Sequence, residues 1–261
     1  MQPLAMTLPL GSVETAMLAG VRIVAFLVIA PPFSHRAVPR RVLAMLSIGL
    51  ALALTPRLLA GDTSRAVATT GTGAYLGALV LQVVVGAGLG FLVALVFAAV
   101  QSAGTFIDLF GGFQMAAAFD PMNMTSGAQF QRLYQLTAVV LLFVTNGYQL
   151  VIAGLIRTFD ALPLGASLDL TVLAHAATTG LSQMFVAALQ IAGPLVIVLF
   201  LTDVGLGLLT RVAPALNAFA LGFPLKIWMT LTFASVVYLA MPHVVDGLVT
   251  QAVRVIMGVT G

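Results

Sequence analysis

The chain has 261 residues, of which 61% are hydrophobic and 7% charged, and its mean hydropathy is +1.12. Soluble domains carry about a quarter charged residues, so this composition is that of an integral membrane protein with no room for a separate soluble module. The net charge is only +3 and the arginines form no stripe, which excludes a nucleic-acid footprint, and the absence of cysteine excludes disulfides, thiolate metal sites and a cysteine nucleophile.

The first apolar segment runs from about Val13 to Ala30 and stops at Pro31-Pro32. Its first basic residue is Arg22, so it lacks the charged start of a cleavable signal and is expected to be retained. Arg22 lies in its interior, where a charge costs a few kcal/mol and must face protein or water. Glu14 is roughly 12 Å away along a helix, so each charge needs another partner. The loop SHRAVPRR, residues 34–41, is the most basic in the chain.

A second segment spans about Val42 to Ala60, with Pro56 near its end, and a polar link leads to a third, Ala74 to Ile107. As a straight helix the third would measure roughly 50 Å against a hydrocarbon core of about 30 Å, so it either breaks or leaves the bilayer. Gly86 and Gly90 have the small-xxx-small spacing that lets two backbones approach. The surrounding GAGLG is read as helix packing, since a dinucleotide fingerprint needs a preceding strand.

Next comes GGFQMAAAFDPMN, residues 111–123, which combines loop-forming residues with two phenylalanines and two methionines. A fourth segment covers about Arg132 to Ile156, and a second overlong run, Thr171 to Leu209, contains Pro194 and Asp203. The last strongly apolar segment, Ala218 to Ala240, encloses Gly222, Pro224 and Lys226. In a tail helix over Val244–Val259, the i, i+4, i+8 set Asp246, Thr250 and Arg254 forms a polar stripe suited to an interface or a partner. Outside SHRAVPRR the basic residues are shared almost evenly among alternate loops, which leaves orientation open.

No catalytic constellation stands out. There is no G-x-S-x-G elbow, and His35, His175 and His243 are isolated from one another and from carboxylates at ligand spacing. Neither enzymatic activity nor a metal or cofactor is expected. Asp108, Asp120, Asp160, Asp169 and Asp203 invite comparison with a proton relay, yet most sit beside residues typical of turns and caps. Asp203 does not, and pairing with an arginine such as Arg211 is preferred for it over proton transport.

The stretch RVAPALNAFALGFPLKI, residues 211–227, resembles the FliR family of bacterial type III export proteins, which includes the virulence counterparts termed SctT. It fills every fixed position of an RxxPxxNxFxxGFPxK pattern. VPRRVLAMLSIGLALALTP at 38–56, FDP at 119–121 and VTNGYQLVIAGLIRTFDALPLG at 144–165 agree, so the resemblance covers nearly the whole chain. NGYQ at 146–149 departs from members that have two histidines after the glycine.

The resemblance implies an all-α membrane protein of kinked helical hairpins, a single polytopic unit over residues 1–261, forming one subunit of a helical export-gate assembly. Its implied partners are FliP-like and FliQ-like subunits, an FlhB-like protein at the channel entrance, unfolded export substrates and membrane lipid. The implied place is the bacterial inner membrane at the flagellar basal body, with part of the assembly above the bilayer plane. Residues 108–131 become a candidate plug loop, with Phe110, Phe113, Gln114, Met115 and Phe119 as closure residues. Apolar side chains in a constriction resist wetting, and thioethers and rings fill an irregular lumen. Gly111, Gly112 and Gly127 would let that loop bend; ordinary burial against neighbouring helices is the alternative.

Arg211, Pro214, Asn217, Gly222, Pro224 and Lys226 are read as helix-break and subunit-packing positions, and Arg22 and Asp203 as buried charges. The FDP loop and NG segment favour a flagellar member over an injectisome SctT. The competing class is a small-solute secondary transporter with Arg22 and Asp203 on its path, which inverted repeats would support; none is visible.

Overall fold

The computed structural model describes residues 10–35, 38–60, 71–114, 128–166, 169–213 and 218–260. Among them eight α-helices follow one another: α1 (Leu10–Ile29), α2 (Arg40–Leu59), α3 (Thr72–Phe110), α4 (Gln129–Val144), α5 (Gly147–Ala161), α6 (Leu170–Val212), α7 (Ala218–Leu239) and α8 (Met241–Thr260). Helix is the natural state for these runs because in lipid each backbone N–H and C=O must find its partner inside the segment. Hydroxyls follow the same rule. Ser47 and Thr55 each donate to the carbonyl four residues earlier, Leu43 and Ala51, at 2.7 Å.

Helices α1, α2, α3, α6 and α7 are long and apolar enough to cross a membrane, and α4 with α5 forms a further candidate span bent by 77°. Of the two alternatives for the overlong third segment, a break or an excursion beyond the bilayer, the break does not occur. α3 is continuous over 39 residues and α6 over 43, with Pro194 accommodated inside α6. At 1.5 Å per residue they measure roughly 58 and 64 Å, so the length beyond a core of about 30 Å lies outside it or is taken up by tilt.

The break falls instead in the fourth segment, expected as one run from Arg132 to Ile156. Asn146 has a φ of 57°, a left-handed conformation that asparagine tolerates and that ends α4. Gly147 follows because space is short: a Cβ there would lie 2.8 Å from both Leu142 Cδ1 and Val249 Cγ2. The tail also departs from expectation, beginning at Met241 and using its own chain as partner. Val245, Leu248, Val249, Ala252 and Ile256 are buried, and a Cβ on Gly154 of α5 would stand 3.4 Å from Ile256 Cδ1. Asp246, Thr250 and Arg254 lie on the exposed side.

The chain divides into two compact units, each assembled from separated stretches. One comprises Met1–Ala94, Tyr148–Thr179 and Thr250–Gly261; the other comprises Leu95–Gly147 and Gly180–Val249. In the first, α1 packs on α2, where Gly20 faces Ala51 Cβ, and on α3 through the glycines. A Cβ on Gly86 would collide with the Arg22 carbonyl, and one on Gly90 would lie 2.8 Å from the Phe26 carbonyl. The small-xxx-small spacing therefore marks a close approach of two backbones.

Candidate functional site

Arg22, fully buried in the first unit, has no carboxylate partner among the described residues. Its Nε donates to Gln82 Oε1 at 2.6 Å, and its Nη1 donates to the carbonyls of Leu162 at 2.8 Å and Thr158 at 3.3 Å. Those carbonyls lie in the last turn of α5 and just past its end, where the helix dipole favours a cation. The guanidinium also stacks over the Phe159 ring, 4.4 Å from its centroid. Gln82 completes the link by donating from Nε2 to the Leu164 carbonyl at 3.0 Å. One charge thus ties α1, α3 and the end of α5 together, leaving Nη2 without a hydrogen-bond partner. The sequence carries a signal for Gln82, since an amide in a long apolar run must find a partner.

In the second unit, α3 ends at Gly111-Gly112. Gly112 has a φ of 81°, the left-handed geometry with which helices commonly stop. Gly111 meets a different demand, since a Cβ there would lie 2.7 Å from the Ile107 carbonyl and 2.8 Å from Thr230 Oγ1. Phe113 approaches Phe130 edge to face at 5.2 Å, and Phe130 meets Tyr134 in the same manner at 6.2 Å. Phe110 and Phe113 are half-buried and Gln114 is exposed. Asp108, fully buried, accepts hydrogen bonds from the backbone N–H groups of Phe130 and Gln131 at 2.9 Å each. Met115, Phe119 and Gly127 lie outside the described residues.

The expected pairing of Asp203 with Arg211 is corrected by the structure. Asp203, expected as a buried charge, is exposed, and it binds Lys226 Nζ of α7 at 2.6 Å. Arg211 sits on the same helix as Asp203, roughly 12 Å further along, beyond the reach of a direct pair, and it is exposed. Gly222 gives α7 its approach to α6, for a Cβ would lie 3.1 Å from Leu206 Cδ1, and Pro224 stands inside an unbroken α7. Pro214 and Asn217 lie outside the described residues. The other aspartates have local duties: Asp160 pairs with Arg57 at 2.9 Å, and Asp169 accepts from the Thr171 amide at 2.8 Å. Among the described residues no three His, Asp or Glu side chains converge as a metal site.

Large apolar side chains remain exposed along α6 and α7, including Ile197, Phe200, Leu201, Trp228, Leu231 and Val236. A patch of this kind requires lipid or another protein to cover it. Fold and site together define a polytopic all-α membrane protein whose buried polar groups join helices to one another.

Comparison with known proteins makes that class specific. The chain belongs to the family described as bacterial export proteins, family 1, whose model matches residues 13–252. It is 33% identical to the flagellar biosynthetic protein FliR of Escherichia coli (strain K12) over 207 residues, covering 79% of this chain and 77% of that protein. Its identity with the FliR protein of Bacillus subtilis (strain 168) is 28%, over 94% of this chain and 95% of the relative. With the secretion system apparatus protein SsaT of Salmonella typhimurium it is 29%, over 58% and 59%. The chain is accordingly a subunit of a type III export apparatus and a protein of the bacterial inner membrane.

Proposed function

We propose that this chain is a non-enzymatic core subunit of a flagellar export gate, placed at the basal body. With FliP-like and FliQ-like subunits it forms the channel for unfolded export substrates, and an FlhB-like protein stands at the entrance. The observation that carries this reading is similarity along 94% of the chain to a flagellar relative, against 58% for SsaT.

A channel wide enough for an unfolded polypeptide is wide enough for ions, so it needs a closure that yields to substrate. A ring of apolar side chains provides one by dewetting. The residues assigned to that task are Phe110, Phe113, Gln114, Met115 and Phe119. The half-buried Phe110 and Phe113 and the exposed Gln114 at the end of α3 are compatible with it, and the Phe113–Phe130 contact would anchor the segment at one end. Against solute transport, Arg22 is engaged with helix carbonyls and Asp203 with Lys226, so both charges have structural work.

The test is complementation of a bacterium lacking its own FliR protein, with co-purification of FliP-like and FliQ-like subunits and measurement of ion leakage. Restored motility with partners bound supports the flagellar reading, while restored injectisome secretion without motility replaces it with the SctT role. Deletion of residues 110–119 should raise leakage through the assembled complex. An assembled complex that stays tight moves the closure elsewhere.

A further inference from the structure

Helix α4 lacks a cap of its own. Its N-cap position is Ala128, which makes no side-chain capping bond, yet the first amides of any helix have no carbonyl partner within it. Asp108 serves two of them, Phe130 and Gln131, from α3, across 22 and 23 positions of sequence. A carboxylate is well suited to this, because its hydrogen bonds are charge-assisted and its charge opposes the positive end of the helix dipole.

Two other contacts extend the same seam. A Cβ on Gly104, one turn before Asp108, would lie 2.6 Å from Gln131 Cα and 2.7 Å from the Phe130 carbonyl. The backbones there touch without intervening side chains. Beyond Asp108, where Gly112 turns the chain, the Phe113 ring meets Phe130. Backbone contact, buried cap and ring contact therefore occur in chain order along one line.

We infer that Asp108 is a positioning residue, a helix cap supplied from α3 that clasps the first turn of α4 against the end of α3 and so holds Phe110 in place and Phe113 beside Phe130. Its functional consequence rests on the plug reading above; the clasp itself does not.

The test compares Asp108→Ala and Asp108→Asn in the assembled complex, using amide hydrogen exchange and ion leakage. The alanine variant loses both acceptor oxygens and should speed exchange at Phe130 and Gln131 by roughly tenfold or more. Asparagine keeps the shape and one acceptor, so it should fall between alanine and the parent in both readouts. It also carries the test if the alanine variant fails to assemble. Unchanged exchange at both amides overturns the clasp. Faster exchange with unchanged leakage overturns its control of closure, provided deletion of residues 110–119 does leak. If that deletion stays tight, the plug reading fails while the exchange result still establishes the clasp.

Discussion

Helix α3 buries 61% of its most apolar stretch inside the chain and α6 buries 22%, although both are unbroken, apolar and far longer than a bilayer core. The difference lies in what their glycines meet. Gly86, Gly88 and Gly90 of α3 each abut a neighbour that a Cβ would strike, whereas nothing lies within 4 Å of a Cβ at Gly193, Gly205 or Gly207 of α6. α6 offers the rest of the chain a narrow buried seam, Ala188, Ala192, Leu195 and Leu199, and leaves many of its other large side chains exposed, among them Phe185, Leu189, Ile197, Phe200 and Leu201. One helix is largely covered by its neighbours, and the other leaves a surface for lipid or a neighbouring subunit to cover. Glycine in an apolar run is therefore a packing signal only where another backbone is present to use the space.

The largest expected effect breaks this contrast directly. Gly86→Leu should destabilise the chain by about 3 kcal/mol or more, since the collision is with backbone and cannot be relieved by a rotamer change. Gly205→Leu should change the isolated chain by less than about 0.5 kcal/mol. Thermal unfolding in detergent reads both, and similar losses at the two sites would show that interhelical contact does not distinguish them.

Arg22→Met comes next, at about 2 kcal/mol, because it removes the donor to Gln82 Oε1 and to the Leu162 carbonyl in an apolar interior. Arg22→Lys should recover only part of this, lacking the fork that reaches Gln82 and Leu162 at once. A double-mutant cycle with Gln82→Leu should return a coupling of about 1 kcal/mol. Additive losses would mean that the two residues act separately.

Lys226→Met should cost about 1 kcal/mol, a modest figure because the Lys226 and Asp203 side chains are 21% and 45% exposed. Exchanging the two charges should restore most of the loss. Failure to do so would assign the effect to packing.

The smallest effect belongs to Asp169, at the start of α6. The Thr171 hydroxyl, with help from the Thr171 amide, holds its carboxyl below the usual carboxylate range. A lowered folded value means that the stabilisation is present above the ordinary carboxylate range and is lost as pH falls through the lowered value. Amide exchange in the first turn of α6 should rise over that acidic window, and Asp169→Asn should abolish the pH dependence. A pH-independent first turn would remove the cap.

The fold was legible where it depended on solvent alone. Each of the long helices nearly coincides with an apolar run visible in the sequence, because a backbone in hydrocarbon has few alternatives to helix. Asn146 was harder to read. A left-handed asparagine is inexpensive, so nothing local required the fourth run to break there; Leu142 and Val249 closing on Gly147 settled it. Among the polar residues, Arg22 advertised that it needed a partner but not which one. Gln82 lies 60 residues away in sequence, and the carbonyls of Thr158 and Leu162 lie 136 and 140 residues away, where spacing rules have no reach. Asp203 drew the wrong partner because Arg211 was near in sequence, whereas the helix carried it out of range and brought Lys226 opposite.

By itself the sequence determined that this protein enters a membrane, that it does so as helices, and, through residues 211–227, which family it belongs to. Those are consequences of composition and of order along the chain. Tertiary structure alone decided which apolar faces are covered, which helix each buried charge restrains, and that Asp108 caps α4 from α3. The physical reason is that hydrophobicity drives each segment out of water without choosing its neighbour, while a hydrogen bond or a missing side chain selects one neighbour only when both are already in place.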